Sequence, residues 1–401
     1  MRRTVRARAG AAGAALSLMV VLGACGGGNE SADGDDPLHV LYVGPKTGAL
    51  SVTGDAIERG AKAAVDELNA NGGIQGRKVE LTEVDDQSDP TRAVSAVQDA
   101  VQGDKKPDLI IAGVSSNEAL AVAPLLTRSK IIGIASAASP AVNDPEKYPY
   151  FFSQAFPTTD SIAAGAEFIQ DNGGAKRVAL IAASDAIGDA TEASSSEAFK
   201  AAGISTRAFR FDPKAVDITP VFQKAASFKP DWIYMEGSGS QTAVLLDGRT
   251  KAGLDEMPTV LGPTGSSLPL HEIATDAQRE NLYATLPPNS VYVDPADRTD
   301  EFSAFLKRIN DQGKLATTPY MYSVGWDNVM IWAKAAEKVD GDITGDAVKK
   351  ILESEEGKED GAQFPVYSGA YTPDNHMHSG ANGDFTFGRV TGLKEDAVVI
   401  K

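Results

Sequence analysis

One cysteine occurs in 401 residues, so no disulfide can form within the chain and packing must hold it together. Positive charge is scarce as well: 38 Lys and Arg stand against 55 Asp and Glu, a formal net charge of −17. A chain of that sign repels phosphate backbones, which argues against nucleic-acid binding. Solubility is the plain reason for such acidity. Beyond the N-terminal segment, no stretch approaches the roughly 20 apolar residues of a membrane-spanning helix. The Gly-rich strings at Thr47–Gly54 and Gly72–Gly76 fit neither a P-loop nor a dinucleotide fingerprint. The GSGS string at Gly237–Ser240 is not a nucleophile elbow. With no convergent base, catalysis is not expected, nor is a cofactor. Only four histidines are present, and His376 and His378 stand two apart in a Gly/Asn/Asp-rich stretch. They are open to two readings, a metal site or a solvated loop, and no metal is expected.

The one cysteine is placed where a lipid anchor would be attached. Arg2, Arg3, Arg6 and Arg8 make a basic n-region, and Ala9–Gly23 is apolar and small. The string LGAC, Leu22–Cys25, resembles a bacterial lipobox, in which cleavage leaves the cysteine as the lipidated N-terminus. The alternative is an ordinary secretory signal with a chance cysteine; Arg2-Arg3 also hints at a twin-arginine route, but little else of that motif follows. Residues 26–37 carry no apolar side chain larger than alanine and read as a flexible tether. The expectation is a signal peptide over 1–24, a lipidated Cys25 with its tether over 25–37, and an extracytoplasmic protein that touches the membrane through lipid. Removing residues 1–24 takes away four arginines and no acid, which moves the net charge from −17 to −21. The remaining length is enough for two separate cores.

From there strand and helix patterns alternate. His39–Gly44 is a short apolar run. A helix over Asp55–Asn71 places Ile57, Ala61, Ala64, Val65 and Leu68 on one face of a 3.6-residue period, and Gly72-Gly73 stops it. Lys78–Asp86 reads as a strand, and Asp89-Pro90 as the N-cap and first residue of a helix reaching Gln102. Leu109–Val114 is apolar throughout, as a strand covered on both faces should be. A helix over Asn117–Arg128 and a strand over Lys130–Ser136 follow. The alternation then repeats with strands at Arg177–Ser184, Asp231–Gly237 and Thr259–Gly265, and helices near 188–202, 217–227 and 239–253. A strand at Asn281–Leu286 and helices near 300–312 and 319–338 come next. From about Ala362 the chain reads as short strands and turns. The pattern predicts an α/β fold of two doubly wound parallel-sheet lobes.

In open α/β sheets, ligands bind beyond the carboxyl ends of the strands. The turns there are Ser115, Ser116 and Asn117; Ala137, Ala138 and Ser139; Asp185, Ala186 and Ile187; Ser238 and Gly239; and Thr264 and Gly265. Hydroxyls and free N–H groups at a helix start favour a carboxylate or other anion. Each serine alone is open to plain helix capping; five such turns on two facing lobes point more firmly to a site.

The stretch Ala63–Val101, with NGGIQGR (Asn71–Arg77) followed by DDQSDP (Asp85–Pro90), resembles the leucine/isoleucine/valine-binding group of the type I periplasmic-binding fold. These are extracytoplasmic solute-binding proteins of ABC importers for branched-chain amino acids and related polar solutes. The likeness continues through IIAGVSSNEALAVAPLL, IIGIASAASP and FFSQAF, and weakens after about Tyr320. It implies a monomeric capture protein whose partners are a small-molecule solute and ABC permease subunits. It implies a three-segment hinge with crossovers near Gln154–Pro157, Thr285–Pro288 and Pro365–Ala370, and a ligand cleft between the lobes. The lobes would be 38–155 with 287–365, and 156–286 with 366–401. The ligand carboxylate would meet Ser116 and the Ala137/Ser139 turn. Ser115, Ala138 and Gln154, at the first crossover, complete that side of the expected site.

The departures concern the rest of the ligand. Thr53, Ile187 and Ser238 stand where leucine binders carry aromatic residues, and Thr264 where they carry the acid that pairs with the ligand's ammonium. A buried ammonium without a carboxylate is costly. Either Asp185, Glu236 or Asp327 substitutes, or the ligand is not a plain α-amino acid. Two rival binders remain: a ligand-sensing ectodomain of the same fold reporting to a membrane partner, and a sugar binder. The strand-end turns are poor in aromatics, which argues against a sugar.

Overall fold

The computed structural model describes residues 36–287, 289–354, 371–377, 385–394 and 397–401. The basic n-region, Cys25 and the tether as far as Asp35 lie outside the described residues, as do Pro288, the expected crossover at 365–370, and His378.

The first part of the chain runs β1 (Leu38–Gly44), α1 (Ser51–Ala70), β2 (Val79–Asp85), α2 (Pro90–Gln102), β3 (Leu109–Ala112), α3 (Ser116–Ser129), β4 (Ile132–Ala135) and β5 (Phe151–Ser153). The strands pair in parallel in the order β2-β1-β3-β4-β5. All five residues of the predicted apolar face of α1 are buried, and α2 starts as expected, with Asp89 accepting from the Thr91 N–H at 2.7 Å. Two strands are shorter than expected. β3 ends at Ala112 because Gly113 turns with φ +98° directly against Ala119, where a Cβ would fall 2.7 Å from that residue's Cα. β4 begins after Lys130, which caps α3 with φ 55° and donates its N–H to the Leu126 carbonyl.

The chain continues with α4 (Thr158–Asp171), β6 (Arg177–Ala183), α5 (Ala186–Ala201), β7 (Ser205–Phe211), α6 (Thr219–Ser227), β8 (Trp232–Glu236), α7 (Gln241–Lys251) and β9 (Thr259–Leu261). Short helical turns α8 (Pro263–Ser266), α9 (Leu270–Ile273) and α10 (Asp276–Arg279) lead to β10 (Leu282–Leu286). Helices α11 (Asp300–Asp311), α12 (Pro319–Glu337) and α13 (Gly345–Leu352) follow, then β11 (Thr386–Gly388), β12 (Val390–Lys394) and β13 (Ala397–Ile400). The second sheet has the order β11-β10-β9-β8-β6-β7, parallel except for β11. The fold is thus α/β with two parallel-sheet lobes, as the alternation predicts. The strand expected over Thr259–Gly265 is a correction. Pro263 has no N–H for the sheet ladder and a φ preset for a helix, so the strand stops at Leu261 and Thr264 lies in α8.

Burial follows the two periods. On β6, Ala179, Ile181 and Ala183 enter one apolar cluster and Val178 and Leu180 another, one on each face of the second sheet. The first lobe has a single core that also takes in Phe305, Val329, Trp332 and Leu352 from α11, α12 and α13. The return to that core depends on a close contact between α1 and α12. A Cβ on Gly60 would lie 1.9 Å from the Tyr322 carbonyl oxygen, and one on Gly325 1.8 Å from that of Ile57. Arg59 adds hydrogen bonds to Gly313 O at 2.9 Å and to the Tyr322 hydroxyl at 3.1 Å.

Gly60→Ala tests this contact. In an exposed helix the change would raise helix propensity by about 1 kcal/mol. Here the overpacking cost of about 1–3 kcal/mol should prevail, and the melting temperature should fall. Thermal unfolding by circular dichroism is the check, and a rise would show that the two helices do not need this approach.

Candidate functional site

A cavity partly open to solvent lies between the lobes at the carboxyl ends of the strands. The first lobe supplies Thr53 from α1, Ser115 and Ser116 at the start of α3, and Ser136 and Ala138 after β4. Facing them are Ile187 in the first turn of α5, Ser238 after β8, and Pro263 and Thr264 in α8. Seven of the ten candidate residues are therefore brought together: Thr53, Ser115, Ser116, Ala138, Ile187, Ser238 and Thr264. Ala137, Ser139 and Gln154 do not line the cavity.

The hydrogen bonds explain this division. Ser115 is spent on its own helix: its Oγ accepts from the Glu118 N–H at 3.3 Å and its N–H donates to Glu118 Oε2 at 3.0 Å, a capping box. Ser116 Oγ accepts from the Ser139 N–H at 3.1 Å, which leaves its own hydroxyl proton to donate. Ser116 and Asn117 are the first residues of α3, where backbone N–H groups have no partner within the helix. Ala137 donates its N–H to Ser153 Oγ, and Ser139 caps the short turn that follows it. These two residues brace the turn rather than face the cavity. Gln154 is fully buried, and its side-chain amide finds no hydrogen-bond partner among the described residues; its N–H donates to the Ala135 carbonyl.

None of the three acids named as substitutes lines the cavity. Asp185 caps α5, accepting from the Gly188 N–H at 2.9 Å. Asp327 is buried within α12. Glu236, at the end of β8, is buried behind Thr264, and burial pushes its carboxyl up to about 8 against the opposing hydrogen bonds from Thr264 and Gly237. Glu118, beside the cavity, is pushed up to about 7 by burial and then by the charge of Asp86.

The turns carry no aromatic side chain, but the cavity has three, supplied elsewhere. Phe156 comes from the first crossover, Tyr320 from the first turn of α12, and Phe385 from the segment before β11. Met321 and Pro287 complete this wall. Phe156 is visible in FFSQAF; nothing in the sequence marks Phe385. His376 has a structural setting: it stacks on Phe152 at 4.0 Å, and its ring nitrogens lie 3.1 Å from the Phe151 carbonyl and 2.7 Å from Glu353 Oε1. Among the described residues, no group of three potential ligands is placed to hold a metal ion.

The two lobes also touch across the cleft. Asn117 Oδ1 accepts from the Ala186 N–H at 3.2 Å, the Ala49 carbonyl accepts from the Ser240 N–H at 3.1 Å, and the Thr317 hydroxyl donates to the Ser267 carbonyl. Two parallel-sheet lobes facing one another across a cleft at their strand ends are the architecture of a solute-binding fold.

The chain belongs to the periplasmic binding protein family, whose model matches residues 37–392. The Leu/Ile/Val-binding protein BraC3 of Rhizobium johnstonii is 26% identical over 268 residues, covering 63% of this chain and 70% of that protein. A solute-binding protein of an ABC transporter from R. palustris, solved in complex with 4-hydroxybenzoate, superposes with a TM-score of 0.76 at 21% identity, over 91% of this chain and 96% of that one. The leucine-binding protein LivK of Thermotoga maritima superposes with a TM-score of 0.73 at 22% identity, over 91% and 97%. The resemblance carried by Asn71–Pro90 therefore holds for the family. Among the described residues, no helix is long and apolar enough to cross a membrane.

The raised carboxyls give a pH dependence. A carboxyl whose folded pKa lies above its ordinary value binds its proton more tightly in the fold than in the unfolded chain. The stability from Glu118 and Glu236 is therefore full below about pH 4.5 and is lost as pH rises through about 7 and about 8. The melting temperature should fall between about pH 4.5 and about pH 8 and level off above that. Glu236→Gln, which cannot titrate, should flatten the upper part of that fall; an unchanged pH profile would show that Glu236 is ionised in the fold.

Proposed function

We propose that this chain is the solute-binding component of an ABC importer. It captures a small carboxylate-bearing solute, an amino acid or a related acid or amide, between its lobes and delivers it to a permease. The observation that carries the reading is the cavity that both lobes line, with the start of α3 on one side and α5, Ser238 and α8 on the other. Family membership supports binding over chemistry, and the names of the relatives support the class of solute.

The mechanism is binding followed by closure. The carboxylate docks on the first lobe at the unspent N–H groups of Ser116 and Asn117 and the Ser116 hydroxyl, where the helix dipole favours negative charge. The second lobe closes over it with Ile187, Ser238 and Thr264. The Asn117–Ala186 and Ala49–Ser240 hydrogen bonds favour the closed form, which buries the solute and shapes the surface that a permease reads. Lipid on Cys25 holds the domain at the outer face of the membrane, and the acidic tether keeps it off anionic headgroups.

Ser116→Ala should weaken solute binding by about 1–3 kcal/mol through loss of a charge-assisted hydrogen bond, measured by isothermal titration with the solute that gives the largest thermal shift. Unchanged affinity would mean that the serine serves only the Ser139 N–H. The anchor is tested in the native host. Cys25→Ala should move the protein from the membrane fraction to the soluble extracytoplasmic fraction; continued membrane retention would remove the lipid from the account.

A further inference from the structure

We infer that the solute is a monocarboxylate with an apolar body and no ammonium group, rather than an α-amino acid. This narrows the carboxylate capture proposed above and rests on it.

Charge is the first argument. Among the described residues, no charged side chain lines the cavity. An α-amino acid held there would bury its ammonium opposite a wall of Ile187, Ser238 and Thr264 with no counter-charge among the described residues, a costly arrangement. Neither Asp185 nor Glu236 lines the cavity, although Glu236 Oε1 has no hydrogen-bond partner among the described residues. Asp185 is held by the Gly188 N–H. Glu236 lies over Gly262, where an added Cβ would fall 1.6 Å from its Oε2, and Thr264 stands between it and the cavity. A lone carboxylate is treated differently by the same walls. It needs donors rather than a cation, and the start of α3 offers two N–H groups and a hydroxyl.

The rest of the lining fits an apolar body. The Phe156 and Phe385 rings pack at 5.1 Å with an interplanar angle of 60°, a tilted pair that forms one side. Tyr320 and Met321 from α12 form the next, and burial raises the Tyr320 phenol well above its ordinary value, so it stays neutral. An ammonium-bearing ligand would gain little from these surfaces that a deaminated one would not.

The test is a titration of the full chain, purified in detergent, with matched probes. Leucine is compared with 4-methylpentanoate, phenylalanine with 3-phenylpropanoate, and 4-methylpentanamide serves as the control without a carboxylate. Each deaminated acid should bind at least about tenfold tighter than its amino acid, and the amide should bind more weakly than the acid. Amino acids that bind as tightly as the deaminated acids, or more tightly, would overturn the inference while leaving carboxylate capture standing. Failure of both acids and amino acids, or an amide that binds as well as its acid, would overturn carboxylate capture itself and this inference with it. Ser238→Asp supplies a carboxylate to the second-lobe wall near the start of α7, where negative charge is tolerated. In a chain with an unchanged melting temperature it should shift the preference toward the amino acids by at least about tenfold. An unchanged preference would count against the missing counter-charge as the cause.

Discussion

The approach of α1 to α12 is the constraint on which the site depends. The two helices meet at Gly60 and Gly325, where even a methyl group would fall within 2 Å of a facing carbonyl oxygen. The chain reaches this point only after building β6 to β10, five of the six strands of the second sheet, so the contact joins distant segments. Its consequence is local to the cavity. α1 carries Thr53 and α12 carries Tyr320 and Met321, and all three line the same space. Had either glycine been a larger residue, the helices would stand further apart and the aromatic wall would move away from the polar turns.

The polar turns of the first lobe are joined into one unit by hydrogen bonds that leave little unspent. Ser115 and Glu118 satisfy each other, Ser116 receives the Ser139 N–H, and Ser153 receives the Ala137 N–H. Thr158, at the start of α4, donates both its N–H and its hydroxyl to the Ala138 carbonyl. The carboxyl end of β4 is thereby tied to the first crossover and to the first residue of the second lobe's helix. What remains free is the small set of donors at the start of α3. Among the described residues no charged side chain joins this set in lining the cavity, so on the proposed reading selection would rest on hydrogen-bond donation and shape.

The contrast between surface and cavity is electrostatic. The chain carries a net charge of −17, yet among the described residues no acid lines the cavity. The acids nearest to it, Glu118 and Glu236, are buried and have raised pKa values because the interior cannot solvate their charge. The long-range field of so acidic a chain disfavours anionic ligands. The carboxylate capture proposed above would therefore have to rest on short-range donors, whose effect salt screens least.

Much of this was legible before the fold was known, and the reason is local. The apolar face of α1, the Asp89-Pro90 start of α2 and the uniformly apolar β3 are set by residues that neighbour one another along the chain. So are the strand-end turns that became Ser115, Ser116, Ile187, Ser238 and Thr264. Where local signals compete, tertiary contacts decided. Lys130 closes a helix instead of opening a strand, and Pro263 ends one. Residues that hold the site together were less visible than those that face it. Ala137 and Ser139 look like ligand contacts in the sequence and are braces in the fold, because only the fold brings Ser153 and Ser116 within reach of their N–H groups. The sequence by itself determined the alternating elements, the two lobes and the turns at their strand ends, since these follow from periodicity and backbone chemistry. Only the tertiary structure decided that Phe156, Tyr320 and Phe385 meet over those turns and that Glu236 stays behind Thr264, since both depend on contacts between segments far apart in the chain.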